Sequence, residues 1–322
     1  MKVIYMGSGD IGLPSLRWLL DEKETDILAV VTQPDRPAGR GMAVRPSLIK
    51  ELALSRGVEV LQPQKVREAG ALALLSALAP DLLVVMAYGQ ILPQSLLDLP
   101  RLGAINLHAS LLPRHRGAAP IHAALLAGDQ VSGITAMWMN AGLDTGDILL
   151  QRECPVTAAD TAETLHDRLA SLAPEALAAS LALVGAGRAP RIKQDDSAAS
   201  YAPKMDRSLG RIDWRDSAAD IARRIRALHP WPGCSAEMIT EDGRRTTIKI
   251  LRASAEEGAA AAGELCSGLA VGCGGGGILR ILELQAPGGK AMEAGAFLRG
   301  HRVGNFSTDA AAAAQQQAAQ QQ

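Results

Sequence analysis

The chain has 322 residues, enough for two domains at about one domain per 100–200 residues. Its 33 Lys and Arg residues nearly balance 34 Asp and Glu residues, and the net charge of −1 excludes a global field that attracts nucleic acid or membrane. Any anionic partner must therefore meet a local basic patch. No run approaches the roughly 20 apolar residues of a membrane span, and the first residues do not resemble a signal peptide, so we expect a soluble, cytoplasmic protein.

The four cysteines argue against a metal or disulfide framework. They are Cys154, Cys234, Cys266 and Cys273. They form no CxxC pair, and no histidine lies at metal-finger spacing from them. We therefore expect reduced thiols and no metal ion.

The chain begins with a strand, a glycine-rich turn and a helix. A strand is predicted over Lys2–Met6 and a helix over Leu13–Asp21, on either side of the turn Gly7-Ser8-Gly9-Asp10-Ile11-Gly12. The turn matches the G-x-G-x-x-G pattern, in which amides at a helix start hold a pyrophosphate. Doubly wound sheets also begin this way without a nucleotide, and Asp35, after the next strand at Asp26–Thr32, lies beyond the usual position of a ribose-binding acid. Both alternatives stay open at this point.

A loop rich in Pro, Gly and Arg runs from Gln33 to Arg45. Its sequence is QPDRPAGRGMAVR, longer than the 2–6 residues common between a strand and a helix. Arg36, Arg40 and Arg45 lie on it without a compensating run of acids. The loop is either a solvated connection or a mobile arm that grips phosphate.

Alternating strands and helices continue to about residue 186. Helices are predicted over Ser47–Arg56, Ala71–Ala79, Gln94–Leu97, Ile121–Ala127 and Thr161–Leu183. Strands are predicted over Val58–Leu61, Asp81–Met86, Ala104–His108, Val131–Met139 and Ile148–Gln151. This order indicates an α/β domain with a mostly parallel sheet over residues 1–186, whose ligands lie beyond the carboxyl ends of strands. Residues 187–206 are polar and contain prolines, which is typical of a linker.

The remaining chain differs in its predicted secondary structure, which consists mainly of short strands. One helix is predicted over Ala218–Leu228, and it carries Arg223 and Arg224. Short strands are predicted over Ile212–Trp214, Ser235–Ile239, Thr246–Arg252, Leu269–Cys273 and Ile278–Leu284. Gly274–Gly277 fits a hairpin turn, because strands flank it on both sides. Residues 207–309 therefore predict a small OB-like β-barrel, and 310–322 are a low-complexity tail with no assigned function.

Asn106 and His108 are the first candidates for chemistry. Two residues apart on a strand, they point to the same face. An amide can stabilise an oxyanion, and an imidazole can carry a proton near neutral pH. A histidine or asparagine at a strand end is often only structural, so a second motif is needed, and Leu143-Asp144-Thr145-Gly146-Asp147 provides it.

These motifs together resemble the formyltetrahydrofolate-dependent formyltransferases. The segments that carry the likeness are Asn106–Pro113, Arg116–Pro120 and Leu143–Asp147, in the family's order. The loop at 33–41, with 212–214 and 226–233, narrows the resemblance to members acting on methionyl-tRNA, although the Trp-Pro element also occurs in sugar-nucleotide formyltransferases. The likeness spans about residues 1–305. Two departures are the first turn, where the family usually has G-T-P-D-F, and Ala109, where it usually has Gly.

The resemblance implies a Rossmann-like formyltransferase domain with a mostly parallel sheet, followed by an OB-like barrel that binds tRNA. It implies transfer of the formyl group of 10-formyltetrahydrofolate to the α-amine of methionine on initiator methionyl-tRNA, by a monomeric enzyme without a metal. Asn106 is then the oxyanion donor, His108 a second donor or proton carrier, and Asp144 the partner of His108.

The resemblance also assigns binding residues. The folate site is expected to comprise Tyr88, Ile91, Ser110, Leu111, Leu112 and Pro113, with Leu112–Pro113 as a cis peptide. The tRNA site is expected to comprise Arg36, Arg40, Arg45, Arg223 and Arg224. His115 is expected at a surface or helix position. Arg114 and Arg116 could reach the carboxylate tail of the folate, but solvated loop positions are favoured.

Other functions stay open. One is a sugar-nucleotide or other amine formyltransferase of the same family. Another is an NAD(P)-binding oxidoreductase that uses Gly7–Gly12. The last is a tRNA-binding module without catalysis, which the presence of Asn106, His108 and Asp144 argues against.

Overall fold

The computed structural model describes residues 1–38 and 43–308 and divides them into two units. The first comprises Met1–Ile121, Gln130–Val156 and Thr164–Pro203. The second comprises His122–Asp129, Thr157–Glu163 and the chain from Lys204 onward. Each unit is built around a β-sheet with its own buried core.

Eleven strands lie in the described part of the chain up to residue 203. They are β1 (Lys2–Gly7), β2 (Asp26–Val31), β3 (Arg36–Ala38), β4 (Ala43–Arg45), β5 (Val60–Leu61), β6 (Leu82–Met86), β7 (Ala104–His108), β8 (Arg116–Gly117), β9 (Val131–Trp138), β10 (Ile148–Pro155) and β11 (Tyr201–Ala202). Seven form one sheet in the order β10-β9-β7-β6-β1-β2-β5. The five strands from β7 to β5 run parallel, and β9 is antiparallel to both of its neighbours, β7 and β10. The sheet is therefore mostly parallel, as predicted.

The helices of this part follow the predicted alternation. They are α1 (Leu13–Asp21), α2 (Leu48–Ser55), α3 (Ala69–Ala77), α4 (Gln94–Leu97), α5 (Pro120–Ala127) and α6 (Ala162–Gly185). Ser47 caps α2, because its hydroxyl accepts a hydrogen bond from the amide of Lys50. Helix α6 is long and apolar enough to pass a test for a membrane span by length and composition. Its apolar side, including Leu165, Leu169 and Leu177, is fully buried, so the helix packs as a core helix.

The sheet has a topological switch point beside β1. Strands β2 and β5 lie on one side of β1, and β6 and β7 lie on the other, so the strand order reverses there. Open α/β sheets bind ligands outside the carboxyl ends of their strands at such a reversal. The turns after β1, β6 and β7 all leave from this edge, because the three strands are parallel.

The second unit contains a nearly closed antiparallel barrel. Its elements are α7 (Ala218–Ala227), β12 (Cys234–Thr240), β13 (Arg245–Glu256), β14 (Ala270–Cys273), β15 (Gly277–Gln285), β16 (Ala291–Glu293), α8 (Ala294–Leu298) and β17 (Val303–Phe306). The strand order is β14-β15-β13-β12-β17, and β16 pairs with β15. Gly263 links the two edge strands of this sheet, β14 and β17. The Gly263 carbonyl accepts a hydrogen bond from the amide of Phe306, and the Gly263 amide donates to the carbonyl of Gly272. The predicted barrel is confirmed.

Local features of the barrel follow from its sequence. Gly275 and Gly276 have φ values of +71° and +74° between β14 and β15, the left-handed pair that a tight hairpin turn requires. Trp214 is fully buried, with its ring centroid 5.0 Å from that of Phe306. The predicted strand at Ile212–Trp214 is wrong: Asp213 accepts from the amide of Arg215 and turns the chain so that the indole enters the core.

Candidate functional site

The structure brings together the three residues proposed for catalysis. Asn106 and His108 lie on β7, and Asp144 lies in the turn between β9 and β10. The Asn106 Nδ2 atom is 3.5 Å from Asp144 Oδ1, and His108 Nδ1 is 3.8 Å from Asp144 Oδ2. Only 7% of the His108 side chain and 13% of the Asp144 side chain are exposed. An amide, an imidazole and a carboxylate therefore share one small, poorly solvated space.

The hydrogen bond on the far side of His108 defines which nitrogen is available. Its Nε2 atom lies 2.9 Å from the carbonyl oxygen of His115. A carbonyl can only accept, so Nε2 must carry a proton, and Nδ1 is the nitrogen that faces Asp144 and can gain or lose one. His115 has a φ of +59° and is buried rather than at the surface, so its predicted surface position is wrong.

Asp144 is held in an uncommon backbone conformation. Its φ is +53°, in the left-handed region that non-glycine residues seldom occupy. The amide of Gly117 donates to Asp144 Oδ2 at 2.9 Å. This hydrogen bond holds the Oδ2 atom of the carboxylate in place. The other oxygen, Oδ1, faces Asn106 across the longer contact of 3.5 Å.

A buried threonine fixes the loop Ser110–Pro113, which the sequence assigns to folate. The Thr135 hydroxyl donates to the Ser110 carbonyl at 2.6 Å and accepts from the Leu112 amide at 3.1 Å. The Gln151 side chain donates to Thr135 Oγ1 and to the Leu112 carbonyl, both at 2.9 Å. The Leu112–Pro113 peptide is cis, as expected. Side chains of β9 and β10 therefore hold the backbone of this loop.

The other two residues expected to contact folate differ in exposure. Ile91 is 81% exposed, whereas Tyr88 is 2% exposed and its ring belongs to the apolar core beneath the sheet edge. Within the described residues the Tyr88 hydroxyl has no hydrogen-bond partner, and burial raises its pKa to about 12. The Tyr88 backbone carbonyl accepts from the side chain of Gln33 at 3.2 Å.

The glycine pattern Gly7–Gly12 has a packing explanation. The amides of Ser8 and Gly9 both donate to the carbonyl of Ala87, at 3.2 and 3.1 Å. A Cβ atom on Gly7 would lie 2.7 Å from the Tyr5 ring and 2.9 Å from the Met86 carbonyl. Because two of the turn's amides already have partners, the structure does not favour a pyrophosphate site here.

The basic loop contains a short antiparallel hairpin formed by β3 and β4. Arg36 and Arg45 are directly opposed in it, and both are exposed. Arg40 lies outside the described residues. At the base of the hairpin, Lys50 Nζ lies 2.6 Å from Asp35, and this bond lowers the pKa of the Asp35 carboxyl. Two like charges opposed across a strand pair repel each other, which an anion between them would relieve.

The arginines proposed on the second unit are already paired. Arg223 forms an ion pair with Asp220 one turn away on α7, and Arg224 lies 2.8 Å from Asp216. About a third of each arginine side chain is exposed. A phosphate would have to share these guanidinium groups with carboxylates.

Sequence reasoning missed the residues behind Asp144. Arg116, expected on a solvated loop, is 2% exposed and donates to Gln194 and Asp196. Gln194 in turn donates to the backbone of the Asp144 turn. Residues 187–203, which the sequence presents as a linker, belong to the first unit and supply these contacts. These contacts could not be predicted from the sequence, because residues 187–203 show no periodic pattern of apolar residues that would indicate a buried segment.

Comparisons with known proteins decide the family. Residues 1–181 match the family described as Formyl transferase, and residues 204–302 match the Formyl transferase C-terminal domain. The chain belongs to the formyl transferase family. Methionyl-tRNA formyltransferase from Pseudomonas fluorescens (strain SBW25) is 49% identical to it over 296 residues, which cover 91% of each chain.

Solved structures share the formyl transferase fold. The sugar 3N-formyl transferase WlaRD, solved with dTDP and 5-N-formyl-THF, has a TM-score of 0.64 at 18% identity and covers 87% of this chain and 97% of its own. HypX from Aquifex aeolicus in complex with tetrahydrofolic acid has a TM-score of 0.60 at 16% identity. That match covers 92% of this chain and 47% of HypX. At these identities the likeness establishes the fold alone.

Proposed function

We propose that this enzyme transfers the formyl group of 10-formyltetrahydrofolate to the α-amino group of methionine on initiator methionyl-tRNA. The observation that carries the chemistry is the cluster of Asn106, His108 and Asp144 at the carboxyl end of β7. The choice of substrate rests on the relatives named methionyl-tRNA formyltransferase, which match this chain across both of its units.

The reaction is an acyl transfer between two amines, so it needs no covalent enzyme intermediate. The attacking amine must be neutral, the tetrahedral oxyanion must be stabilised, and a proton must reach the departing folate nitrogen. The methionine nitrogen forms the new C–N bond and loses one proton. The folate N10–C bond breaks, and N10 gains one proton, so the transfer is balanced without a co-reactant.

Each member of the cluster has a role that its geometry supports. The Asn106 amide donates to the oxyanion, and its 3.5 Å contact with Asp144 is long enough to be exchanged at little cost. His108 acts through Nδ1, because Nε2 is bound to the His115 carbonyl. Asp144 orients His108 and accepts the amine proton, directly or through water.

We propose that the pterin of the folate lies against the loop Ser110–Pro113. The backbone groups of an irregular loop can pair with the flat hydrogen-bonding edge of a pterin, and apolar side chains can cover its faces. Ile91 is exposed for such a contact, whereas the Tyr88 ring lies in the apolar core, so only the Tyr88 backbone would contribute.

We propose two contacts with tRNA. The basic loop at residues 33–45, which contains Arg36, Arg40 and Arg45, holds the acceptor end, and the barrel unit, with Arg223 and Arg224, holds the tRNA body through phosphates without reading sequence. Such an enzyme acts in the cytoplasm, where aminoacylated tRNA is found, and we expect it to act as a monomer.

The test is a formylation assay with methionyl-tRNA and 10-formyltetrahydrofolate. The parent enzyme should transfer the formyl group, and Asn106→Ala, His108→Ala and Asp144→Ala should each lower kcat by about 10²–10³, the effect of losing an oxyanion donor. Asp98→Ala is the matched control, since Asp98 is an exposed carboxylate bonded to Gln94 on α4. It should leave kcat unchanged.

Three outcomes would contradict the proposal. If the parent enzyme formylates an amino sugar nucleotide but not methionyl-tRNA, the substrate assignment is wrong. If Asp144→Ala turns over at the parent rate, Asp144 has no part in the mechanism. Calorimetric binding of NAD(P), with no binding of 5-formyltetrahydrofolate, would replace the proposal with a nucleotide-dependent activity.

A further inference from the structure

The side chain of Gln194 uses its full hydrogen-bonding capacity behind the proposed catalytic cluster. Its Nε2 donates to the carbonyl of Asp144 at 2.8 Å and to that of Gly146 at 2.7 Å. Its Oε1 accepts from Arg116 Nε at 3.0 Å and from Arg116 Nη2 at 2.8 Å. An amide has two donor hydrogens and two acceptor lone pairs, so all four sites are satisfied.

The orientation of this amide is fixed by its partners. A guanidinium can only donate, and a backbone carbonyl can only accept, so the oxygen must face Arg116 and the nitrogen must face the turn. Arg116 is 2% exposed and also forms an ion pair with Asp196 at 2.7 Å, which places its charge in one position. The buried guanidinium of Arg116 therefore fixes the side-chain amide of Gln194, and this amide holds the backbone of the Asp144 turn.

We propose that Gln194 is a positioning residue for formyl transfer, acting by fixing the backbone of the turn that carries Asp144. This inference rests on the function proposed above. Asp144 occupies a left-handed conformation, with a φ of +53°. This conformation costs energy, so it persists only where surrounding contacts hold the backbone in place. Bonds from Gln194 to the carbonyls of Asp144 and Gly146 clamp the turn on either side of Thr145.

The same stretch of chain also supports the partner of Asp144. The Ser200 hydroxyl accepts from the amide of His115 at 2.9 Å, and the Ser200 carbonyl accepts from the amide of Arg116. The carbonyl of His115 is the acceptor for His108 Nε2. Residues 194–202 therefore form a strap, ending in β11 paired with β8, that holds both sides of the His108–Asp144 contact.

Two substitutions distinguish the hydrogen bonds of Gln194 to the turn from its hydrogen bonds to Arg116. Gln194→Met keeps the length of the side chain and removes all four hydrogen bonds. Gln194→Glu keeps an acceptor for Arg116 but removes both donors and places a carboxylate against two carbonyls. The matched control is Ser197→Ala, in the same strap, because Ser197 is exposed and, among the described residues, its side chain bonds only to Asp195.

Both Gln194 variants should lower kcat for formylation by about 10- to 100-fold, because a displacement of about 1 Å at a reacting group can cost about 10² in rate. The KM values for 10-formyltetrahydrofolate and methionyl-tRNA should stay within about twofold. Ser197→Ala should match the parent enzyme in both constants.

A double-mutant cycle shows whether Gln194 acts through Asp144. In single-turnover assays with excess enzyme, Gln194→Met should lower the rate less than twofold once Asp144 is already alanine, since residues acting through one another are not additive. A purely structural role would lower the rate equally in both backgrounds, and that result would overturn the proposal.

The remaining outcomes are also decisive. If the parent enzyme formylates methionyl-tRNA and both Gln194 variants keep kcat within threefold, the positioning role is wrong while the proposed function stands. If the parent enzyme itself fails to formylate, the proposed function is what fails. Thermal unfolding of each variant is measured alongside, and loss of the folded state in both would assign Gln194 to the stability of the fold instead of to the turn.

Discussion

Thr135→Val tests whether the loop Ser110–Pro113, which we propose binds folate, is held in shape by the strand beneath it. Thr135 is fully buried on β9, and its hydroxyl joins the Ser110 carbonyl, the Leu112 amide and the Gln151 side chain. Valine keeps the branched shape but has no polar atom. The substitution removes three hydrogen bonds at the base of the loop and leaves the apolar contacts in place.

The magnitude follows from which partners are left without a bond. Gln151 keeps its bond to the Leu112 carbonyl, whereas the Leu112 amide and the Ser110 carbonyl lose the Thr135 hydroxyl. Each unsatisfied buried polar group costs about 1–3 kcal/mol. Because the loop can relax partly toward solvent, we expect a local destabilisation of about 2–4 kcal/mol.

The assay is amide hydrogen exchange over residues 107–113 with calorimetry of 5-formyltetrahydrofolate on the full chain. A loss of about 2 kcal/mol corresponds to about 30-fold faster local opening, since 1.4 kcal/mol is tenfold. Folate affinity should fall by about tenfold or more. The matched control is Ser132→Ala on the same strand, because the buried Ser132 hydroxyl has no hydrogen-bond partner within the described residues and its removal should be nearly neutral. If Thr135→Val exchanges within threefold of the parent and binds folate equally well, the loop does not depend on this hydroxyl.

Further predictions concern charge and burial. If Arg36 and Arg45 contact phosphates as proposed, Arg36→Ala and Arg45→Ala should each raise the KM for methionyl-tRNA and flatten its salt dependence without changing folate binding, and equal salt slopes would refute this. The pKa of His166 is raised to about 9, mainly by its hydrogen bond to Asp10, whose own pKa is lowered by His166. The pair should therefore stabilise the fold fully at about pH 5–6.5, where Asp10 is ionised, and lose this as pH passes about 9. His166→Gln should cost about 0.2–1 kcal/mol in denaturant unfolding near pH 6 and nothing near pH 10, given that 69% of the Asp10 side chain is exposed. Tyr88→Phe should raise stability by about 1 kcal/mol with unchanged folate affinity, since it removes a buried hydroxyl that has no partner in the described chain.

The sequence predicts the central architecture well where local pattern and tertiary structure agree. Helix Leu13–Asp21 and strand Ala104–His108 have the bounds expected from their periodicity. The run LLVVM at 82–86 is buried on every residue, as a parallel central strand requires. The hairpin at Gly275 and Gly276 is encoded in two adjacent glycines, which tolerate the left-handed backbone.

Structural features that depend on contacts between residues far apart in the chain are not predicted from the sequence. Strand β17 closes the barrel through Phe306 and Gly263, which are 43 positions apart, and its four residues are too few for a periodic signal. The strap at 194–202 is polar, with side chains that bond to Arg116 and the Asp144 turn, and it lies within the polar run 187–206, whose prolines at 190 and 203 complete the composition of a linker. The glycine pattern after β1 is misleading for a related reason. The carbonyl that satisfies the Ser8 and Gly9 amides belongs to Ala87, nearly 80 residues downstream.

The charge distribution distinguishes the two proposed tRNA contacts. Arg36 and Arg45 face each other across β3 and β4, and in the described structure Arg36 has only a 3.4 Å bond to Gln33, so a phosphate would reduce repulsion there. Arg223 and Arg224 already neutralise Asp220 and Asp216, so a phosphate at either arginine gains only the difference between the two partners. Exposed ion pairs are worth about 0–1 kcal/mol, so exchange with phosphate is feasible, and loss of the ion pair reduces the gain at each arginine by up to about 1 kcal/mol. The hairpin should therefore contribute more affinity per arginine than helix α7. If single alanine substitutions on α7 weaken tRNA binding more than those on the hairpin, the aspartates are not competing as the structure indicates.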